Sequence, residues 1–342
     1  MKGLMKTRPA PGASLQSMEI PTPGPDEVLL KVRATSICGT DLHIYNWDTW
    51  AQSSIRPPLV FGHEFGGEVI DVGRNVRTLR PGDLVSVESH VPCGSCHQCT
   101  HGMRHICDKV QIIGIDRAGC FADFVAIPEV CAWKNSVPLA PEIASIMEPL
   151  GNAVHAVSAA NVRGKSVAVF GCGPTGLFAI SVARAHEAAK ILAVDINPKR
   201  LNLARSAGAH ILYDGAAQDL VSQIREESGG YGVDVTLEMS GSPKAIPSGL
   251  RCLKNGGTFV AFGIPSRPVE LDFANDVILK GRTILGVVGR LMFETWEEMQ
   301  RLLDSGKLDP APIITHRFPL AEFEKAFSVL QSGEAGKVVL IP

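Results

Sequence analysis

Four cysteines have the spacing of a metal site, namely Cys93, Cys96, Cys99 and Cys107. Four thiolates within so short a loop can complete a tetrahedral shell around Zn²⁺. A complete shell leaves no coordination position open, so this zinc would be structural and would keep its own loop folded. The alternative is a set of unligated or redox-active thiols.

A second group of possible metal ligands is dispersed along the chain. Cys38 precedes a Gly-Thr-Asp sequence, and His63 and Glu64 follow Gly62. Glu148 comes much later in the chain. One thiolate, one imidazole and one carboxylate can hold a catalytic zinc that keeps a position open for substrate. From spacing alone this interpretation is weak, because each of these residues is more often structural.

A glycine-rich turn near the middle of the chain has the pattern of a dinucleotide site. The apolar run 167–170 enters Gly171-x-Gly173-x-x-Gly176, and a helical pattern follows from Leu177 to Ala189. Gly171 permits a tight turn, Gly173 lets the backbone approach a pyrophosphate, and Gly176 lets the helix pack close to the strand. The first N–H groups of that helix favour negative charge. An ordinary glycine-rich turn is the alternative.

An acidic residue follows the next predicted strand. Residues 190–194 are apolar after Lys190, and Asp195 comes directly after them. A carboxylate at this distance from the glycine turn can accept a hydrogen bond from an adenosine ribose, and it would repel a 2′-phosphate. Asp195 therefore favours NAD over NADP. The alternative role for Asp195 is a helix N-cap.

The elements that must position these residues change character along the chain. Residues 1–150 contain short β-like runs between Gly and Pro turns, which predicts an irregular all-β domain. Residues 151–289 alternate strand and helix patterns, which predicts a parallel sheet. Residues 290–342 are predicted to be helical to 303 and from 320 to 331, to end in a strand at 337–341, and to return to the first domain. The predicted strands of the parallel sheet are 166–170, 190–194, 210–213, 233–238, 257–263 and 283–287.

The composition narrows the class of protein. A chain of 342 residues favours two domains over one core. The net charge of -2 argues against binding to nucleic acid or to an anionic membrane. No apolar run resembles a signal peptide or a membrane span, so we expect a cytoplasmic protein. In that compartment its nine cysteines are more typical of metal ligands, reactive thiols and core residues than of disulfides.

The motifs taken together resemble the zinc-containing medium-chain dehydrogenases over the whole chain. They are Cys38-Gly39-Thr40-Asp41-Leu42-His43, Gly62-His63-Glu64-Phe65-Gly66-Gly67, the four-cysteine loop and the glycine turn. The resemblance implies an α/β protein with a GroES-like irregular β domain (1–150 and 290–342) and a Rossmann doubly wound parallel sheet (151–289). It also implies two zinc ions per subunit, NAD, and a homotetramer.

The same resemblance assigns roles to individual residues. It implies that Cys38, His63 and Glu64 hold the catalytic zinc and that Thr40 and His43 relay a proton. Glu148 takes the position of an acid near the metal. The residues that it places at the cofactor, beyond the glycines and Asp195, are Thr175, Arg200, Phe262, Gly263, Ile264, Val287 and Val288. For Thr40 and His43 the alternatives are a helix cap and a packed surface histidine, and for Arg200 a solvated helix residue.

Finer motifs resemble the members of that family that act on L-threonine. These motifs are residues 43–50, 148–155, 289–296 and 313–318. They imply oxidation of the β-hydroxyl by NAD+, with zinc as the Lewis acid. A zinc polyol or 2,3-butanediol dehydrogenase would share both zinc sites and the cofactor fold. A non-catalytic NAD(H) sensor would instead have lost ligands that are intact here.

Overall fold

The computed structural model describes residues 1–137 and 139–342. Its strands are β1 (Lys2–Lys6), β2 (Ser14–Ser17), β3 (Glu27–Ser36), β4 (Leu59–Val60), β5 (Glu64–Val72), β6 (Leu84–Val87), β7 (His90–Val91), β8 (Gln111–Ile112), β9 (Phe124–Pro128), β10 (Ala132–Lys134), β11 (Ser166–Phe170), β12 (Lys190–Asp195), β13 (Ile211–Asp214), β14 (Val233–Glu238), β15 (Leu253–Ala261), β16 (Thr283–Gly286), β17 (Ile314–Pro319) and β18 (Lys337–Ile341). Its α-helices are α1 (Gly39–Asn46), α2 (Thr49–Ser54), α3 (His97–Thr100), α4 (Pro141–Ser145), α5 (Met147–Ala160), α6 (Pro174–Ala185), α7 (Pro198–Ala207), α8 (Leu220–Glu227), α9 (Ala245–Arg251), α10 (Phe273–Asp276), α11 (Glu294–Asp304) and α12 (Phe323–Gln331).

The first of two units comprises Met1–Pro149 and Ile314–Pro342. Its main sheet has the order β10-β6-β5-β3-β18-β17, and β9 also pairs with β3. The pairs are antiparallel except β17 with β18. Phe61, Phe121 and Phe327 form edge and tilted ring contacts in its core. This mixture of short strands and turns confirms the predicted GroES-like irregular β domain.

The second unit, Leu150–Ile313, contains a parallel sheet of six strands in the order β13-β12-β11-β14-β15-β16. Strand β11 is central, and its apolar residues 167–170 are buried, as expected for a parallel strand that is covered on both faces. The sequence order reverses between β11 and β14, which defines a doubly wound sheet. The predicted Rossmann domain is therefore confirmed.

The boundary between the units differs from the predicted one. Residues 290–313 were predicted to lie in the first domain, but they belong to the second unit, which extends to Ile313. Helix α11 explains the difference, because its Trp296 and Met299 are fully buried. In addition, the Glu298 carboxylate of α11 accepts a hydrogen bond of 2.9 Å from Ser158 and lies 3.3 Å from His186. The tail from 314 onward does return to the first unit, as predicted.

Two predicted helices begin at different residues in the structure. Helix α6 begins at Pro174, because Gly173 is its N-cap and proline is suited to the first helical position. The predicted helix 320–331 consists of a 3₁₀ turn at Leu320–Glu322 followed by α12. Within the described part of the chain, no helix combines the length and the apolar character that crossing a membrane requires.

Candidate active site

Strand pairing brings the dispersed metal donors together. In the antiparallel pair of β3 and β5, Ser36 lies opposite Glu64. Cys38 comes two residues after the end of β3 and is the N-cap of α1, and His63 immediately precedes β5. The donor atoms of Cys38, His63 and Glu64 consequently all lie within 4.8 Å of one another. This separation suits a single metal ion.

A buried carboxylate orients the histidine of this group. Asp41 is fully buried, and its Oδ1 lies 3.5 Å from His63 Nδ1, which leaves Nε2 for a metal. Asp41 Oδ2 also accepts a hydrogen bond of 2.9 Å from the backbone N–H of Cys38. Burial alone disfavours an imidazolium, but Asp41 and Cys38 outweigh burial and raise the pKa of His63 well above its usual value. The negative potential that raises this pKa would also attract a cation.

Glu64 lies in a buried ionic contact. Its Oε2 accepts a hydrogen bond from Ser36 Oγ and contacts Lys337 Nζ. Lys337 Nζ also donates a hydrogen bond of 3.0 Å to the carbonyl oxygen of Ile37. Burial raises the pKa of Glu64 against the opposing effect of Lys337. Burial disfavours the Lys337 ammonium, but Glu64 and Cys38 outweigh it and raise the pKa of Lys337. Lys337 Nζ and Glu64 Oε2 thus contact each other in a site where both side chains are only 2% exposed.

The three residues predicted for catalysis lie in different settings. Thr40 Oγ1 is 3.7 Å from Cys38 Sγ, so it adjoins the metal donors. His43 is exposed, and its Nδ1 lies 2.5 Å from Asp48 Oδ2. Glu148 is buried and accepts a hydrogen bond of 2.7 Å from Ser89, and it lies outside the group of three donors. The structure thus brings Thr40 to the donors and does not add Glu148 to the donor set.

Two functional residues here were not predicted. Asp41 could have been recognised, since it belongs to the Cys-Gly-Thr-Asp motif and faces back toward Cys38 from the first turn of α1. The burial of Lys337 could not be predicted from the sequence, because a lysine that begins an apolar strand normally lies at the surface. Its burial follows from the insertion of β18 between β3 and β17.

The four-cysteine loop forms a second donor set. The sulfur atoms of Cys93, Cys96, Cys99 and Cys107 lie within 4.8 Å of one another. The backbone N–H groups of Cys93 and Lys109 both donate to Cys107 Sγ at 3.3 Å. Backbone N–H groups of Ser95 and Cys96 lower the pKa of Cys93 to about 6, whereas burial raises the pKa of Cys99 to about 12. Four thiols in this arrangement fit a closed zinc site.

The glycine turn in the second unit is shaped as its sequence pattern requires. Gly171 has a φ of 90°, a left-handed backbone conformation that glycine adopts more readily than other residues. A Cβ at Gly176 would lie 1.9 Å from the Gly171 carbonyl oxygen, so only glycine lets α6 approach β11 this closely. A Cβ at Gly173 would meet nothing within 4 Å, so bare backbone faces open space at the start of α6. Thr175 lies in the first turn of that helix.

Asp195 and Arg200 lie beside this turn. Asp195 ends β12 and accepts hydrogen bonds from the N–H groups of Cys172 at 2.7 Å and Asn197 at 2.8 Å. The N-cap of α7 is Asn197, so Asp195 does not have the alternative capping role. Arg200 Nε is a buried donor that has no hydrogen-bond partner among the described residues. The donor and the carboxylate fit the adenosine end of a dinucleotide.

The remaining predicted cofactor residues follow the last two strands of the sheet. Phe262, Gly263 and Ile264 come after β15, and Val287 and Val288 come after its neighbour β16. Ile264 is 88% exposed and Val288 is 49% exposed. These residues therefore lie at the carboxyl edge of the sheet, where ligands bind in doubly wound folds.

The fold and the two donor sets define a class of metal-dependent nucleotide-binding oxidoreductases, and family models agree. Residues 24–138 match the alcohol dehydrogenase GroES-like domain, and residues 174–305 match the zinc-binding dehydrogenase domain. The chain belongs to the zinc-binding alcohol dehydrogenase family.

Individual relatives within this family are similar over full length. The chain is 48% identical to an L-threonine 3-dehydrogenase from Bacillus licheniformis, with 100% of this chain and 99% of that protein covered. A zinc-binding dehydrogenase from Sinorhizobium meliloti bound to NADP has a TM-score of 0.91 at 30% identity, covering 100% and 99% of the two chains. The 2R,3R-butanediol dehydrogenase from Bacillus subtilis has a TM-score of 0.89 at 28% identity, also covering 100% and 99%.

Proposed function

We propose that this protein oxidises L-threonine at its β-hydroxyl with NAD+, producing 2-amino-3-oxobutanoate, NADH and a proton. One observation carries the proposal. The donor atoms of Cys38, His63 and Glu64 lie within 4.8 Å of one another in a chain that is 48% identical, over its whole length, to an L-threonine 3-dehydrogenase. The reaction removes a hydride from the β-carbon and a proton from its oxygen.

The first unit would hold and tune the metal. When bound, zinc supplies a Lewis acid that lowers the pKa of a hydroxyl, and the nicotinamide supplies a hydride acceptor. Cys38, His63 and Glu64 are the proposed zinc ligands, and Asp41 orients the His63 ring toward the metal. Glu148, held by Ser89, is the proposed acid near this site.

Thr40 and His43 are the proposed route for the proton. Thr40 Oγ1 lies beside Cys38 and can both accept and donate a proton. His43 on the same helix is 57% exposed, so its ring can exchange protons with water. Hydrogen bonds from Ala51 N–H and His43 outweigh burial and lower the pKa of Asp48, which keeps an ionised carboxylate beside that ring.

The second unit would bind NAD. Backbone N–H groups at the start of α6 face the open space beside Gly173, where a pyrophosphate fits. Asp195 supports NAD over NADP, because its carboxylate can accept from a 2′-hydroxyl and would repel a 2′-phosphate. Arg200 is the proposed contact to the adenosine ribose, and residues 262–264, 287 and 288 are proposed to lie along the nicotinamide half.

The four-cysteine loop would bind the second zinc of each subunit, in a purely structural role. All nine cysteines are free thiols, which supports a reducing compartment, and we propose the cytoplasm.

A homotetramer is the proposed assembly. Strand β16 is the edge of the parallel sheet, so one side of it is available for pairing with another chain. Nearby Ile278 and Leu279 are 65% and 72% exposed. Exposed apolar side chains and an edge strand are features that a contact between two copies of this unit would cover.

The experiment that tests this function measures NAD reduction by the zinc-loaded protein with L-threonine, 2,3-butanediol and sorbitol in parallel. We expect the highest kcat/KM for L-threonine, a clear preference for NAD over NADP, and loss of turnover after chelation. A higher kcat/KM for either of the other alcohols would contradict the threonine assignment. Turnover that survives complete zinc removal would contradict the metal assignment.

Butanediol oxidation is the second candidate. The similarity to the 2R,3R-butanediol dehydrogenase from Bacillus subtilis favours it, since the TM-score is 0.89. The sequence identity to that protein is 28%, however, against 48% for the L-threonine 3-dehydrogenase. The same experiment separates the two candidates.

A further inference from the structure

Glu238 is a fully buried carboxylate in the second unit that has no part in the mechanism described so far. It is the last residue of β14. Its Oε1 accepts from the backbone N–H of Ser240 at 3.0 Å and from Ser240 Oγ, and its Oε2 accepts from the N–H of Gly241 at 3.1 Å. Three donors thus converge on two oxygens, and only a carboxylate can accept from all three without offering a proton of its own.

Glu238 lies at the point where the strand order of the sheet reverses. In the register of the sheet it is level with Phe170 of β11 on one side and with Ala261 of β15 on the other. Strands β12 and β13 lie on the opposite side of β11, so the reversal falls between β11 and β14. Ligands of doubly wound sheets bind outside the carboxyl ends of the strands at this point.

The segment that Glu238 holds, residues 239–242, is here called the Ser240 turn. A Cβ at Gly171 would lie 2.6 Å from Ser240 Cβ, so the turn touches the glycine turn directly. On its other side, a Cβ at Gly263 would lie 2.0 Å from Gly241 N, and a Cβ at Gly241 would lie 2.4 Å from the Ile264 carbonyl oxygen. The Ser240 turn therefore fills the space between the two backbone segments proposed to bind the cofactor.

We infer that Glu238 is a positioning residue for the nicotinamide cofactor. Its carboxylate fixes the Ser240 turn, and this turn sets the separation between Gly171 and residues 263–264. Glu238 acts through backbone and does not touch the cofactor. The inference rests on the proposed function, because it assumes that this edge of the sheet binds a nicotinamide dinucleotide.

Glu238→Gln is the variant that tests the inference. The amide has the shape of the carboxyl group, but its NH₂ must face at least one of the three donors, so the turn cannot keep its position. We expect the Kd for NADH, measured by nicotinamide fluorescence, and the KM for NAD+ to rise together by about tenfold, which corresponds to about 1.4 kcal/mol. The KM for L-threonine and the zinc content should not change, and a general loss of stability would not produce this split.

Two further variants keep the test decisive. Glu227→Gln removes a carboxylate that pairs with Lys190 at 2.7 Å in the same unit, and NADH binding should not change. Ser240→Ala removes one of the three donors to Glu238 and keeps both backbone bonds. It also removes the acceptor of the Ser242 N–H within the same turn, so the Kd for NADH should rise at least about threefold. If Glu238→Gln fails to fold, an unchanged Kd in Ser240→Ala overturns the inference.

The remaining outcomes separate the inference from the proposed function. Wild-type protein that does not bind NADH would overturn the proposed function and the inference with it. Wild-type binding with equal affinity in Glu238→Gln would overturn the inference alone. A loss confined to NAD+, with NADH binding intact, would also overturn it, because that result reflects the charge of Glu238 and not the position of the turn.

Discussion

The two donor sets in the first unit are built in different ways. The four cysteines come from one short loop, and Cys93 is exposed while Cys99 and Cys107 are buried. Cys107 Sγ accepts hydrogen bonds from the backbone N–H groups of two residues in or next to that loop, Cys93 and Lys109. Cys38, His63 and Glu64 instead lie at or near the ends of two paired strands. Buried Asp41 contacts the first two, and buried Lys337 contacts the third.

This difference fits the different roles proposed for the two metal sites. A loop whose donors are all local has few other contacts to hold it, so its folding depends on the ion. The dispersed donors are held by a sheet and by buried polar partners, so their geometry exists before the ion arrives. The first arrangement suits a structural metal, and the second suits a metal that must keep a position open for substrate. Four variants test this contrast.

Cys38→Ser should have the largest effect. It removes the only thiolate of the dispersed set, and the Lewis acid is worth several kcal/mol. We therefore expect kcat/KM for L-threonine to fall by at least about a thousandfold. NADH binding and the zinc of the four-cysteine loop should be retained. Steady-state kinetics and metal analysis check this, with Cys252→Ala in the second unit as the control. Turnover within about tenfold of wild type would remove Cys38 from the catalytic ligands.

Lys337→Met tests whether the dispersed set depends on a buried ion pair. Without the ammonium, the Glu64 carboxylate is buried and unpaired, which costs about 3–5 kcal/mol. The decrease in the free energy of unfolding should be smaller in zinc-loaded protein, because the zinc ion also neutralises the charge of the Glu64 carboxylate. Urea unfolding of zinc-loaded and chelated protein measures both values. Lys134→Met, which breaks the more exposed pair with Asp83, should cost less than about 1 kcal/mol. Equal losses with and without zinc would argue against Glu64 as a ligand.

Cys107→Ser tests the four-cysteine loop. Loss of the metal should destabilise the first unit by about 3 kcal/mol, since loss of a bound metal is among the large single effects. The kcat of the protein that remains folded should stay near the wild-type value. Thermal unfolding and single-turnover kinetics on freshly purified protein measure the two quantities. A large fall in kcat with unchanged stability would reverse the roles assigned to the two sets.

Asp41→Asn should have the smallest effect of the four. Asp41 contacts both Cys38 N–H and His63 Nδ1, and an asparagine has only one acceptor oxygen. We expect zinc affinity at the dispersed set to fall about 10–100-fold, the usual range for such supporting residues. Competition with a chromophoric chelator measures the zinc affinity of the dispersed set, whose ion should be released before that of the four-cysteine loop. Asp83→Asn should leave it unchanged, and an unchanged affinity in Asp41→Asn would show that Asp41 does not orient the ligand.

Sequence reasoning worked best where the chemistry is local. The cysteine spacing and the glycine turn each specify their geometry within one short segment, because ligand spacing and positive φ are local requirements. The strands of the parallel sheet were predictable for the same reason, since buried apolar runs are continuous in sequence.

Long-range contacts explain what the sequence did not reveal. Lys337 meets Glu64 only because β18 pairs with β3, and no local pattern marks that pairing. Glu238 is the last residue of the predicted strand 233–238, and its burial depends on the turn that follows it. The domain boundary was misplaced because α11 has an amphipathic pattern that suits either unit. The packing of Trp296 and Met299 decides which unit it joins.

The position of β18 also has a consequence for the order in which the protein can fold during synthesis. The second unit, residues 150–313, is continuous and can fold as soon as it leaves the ribosome. The first unit is split, and its main sheet has a gap between β3 and β17 until residues 337–341 have emerged. Until then Glu64 has no lysine partner, although the four-cysteine loop already has all its ligands. The nascent chain is therefore expected to complete the proposed structural metal site early and the proposed catalytic metal site last.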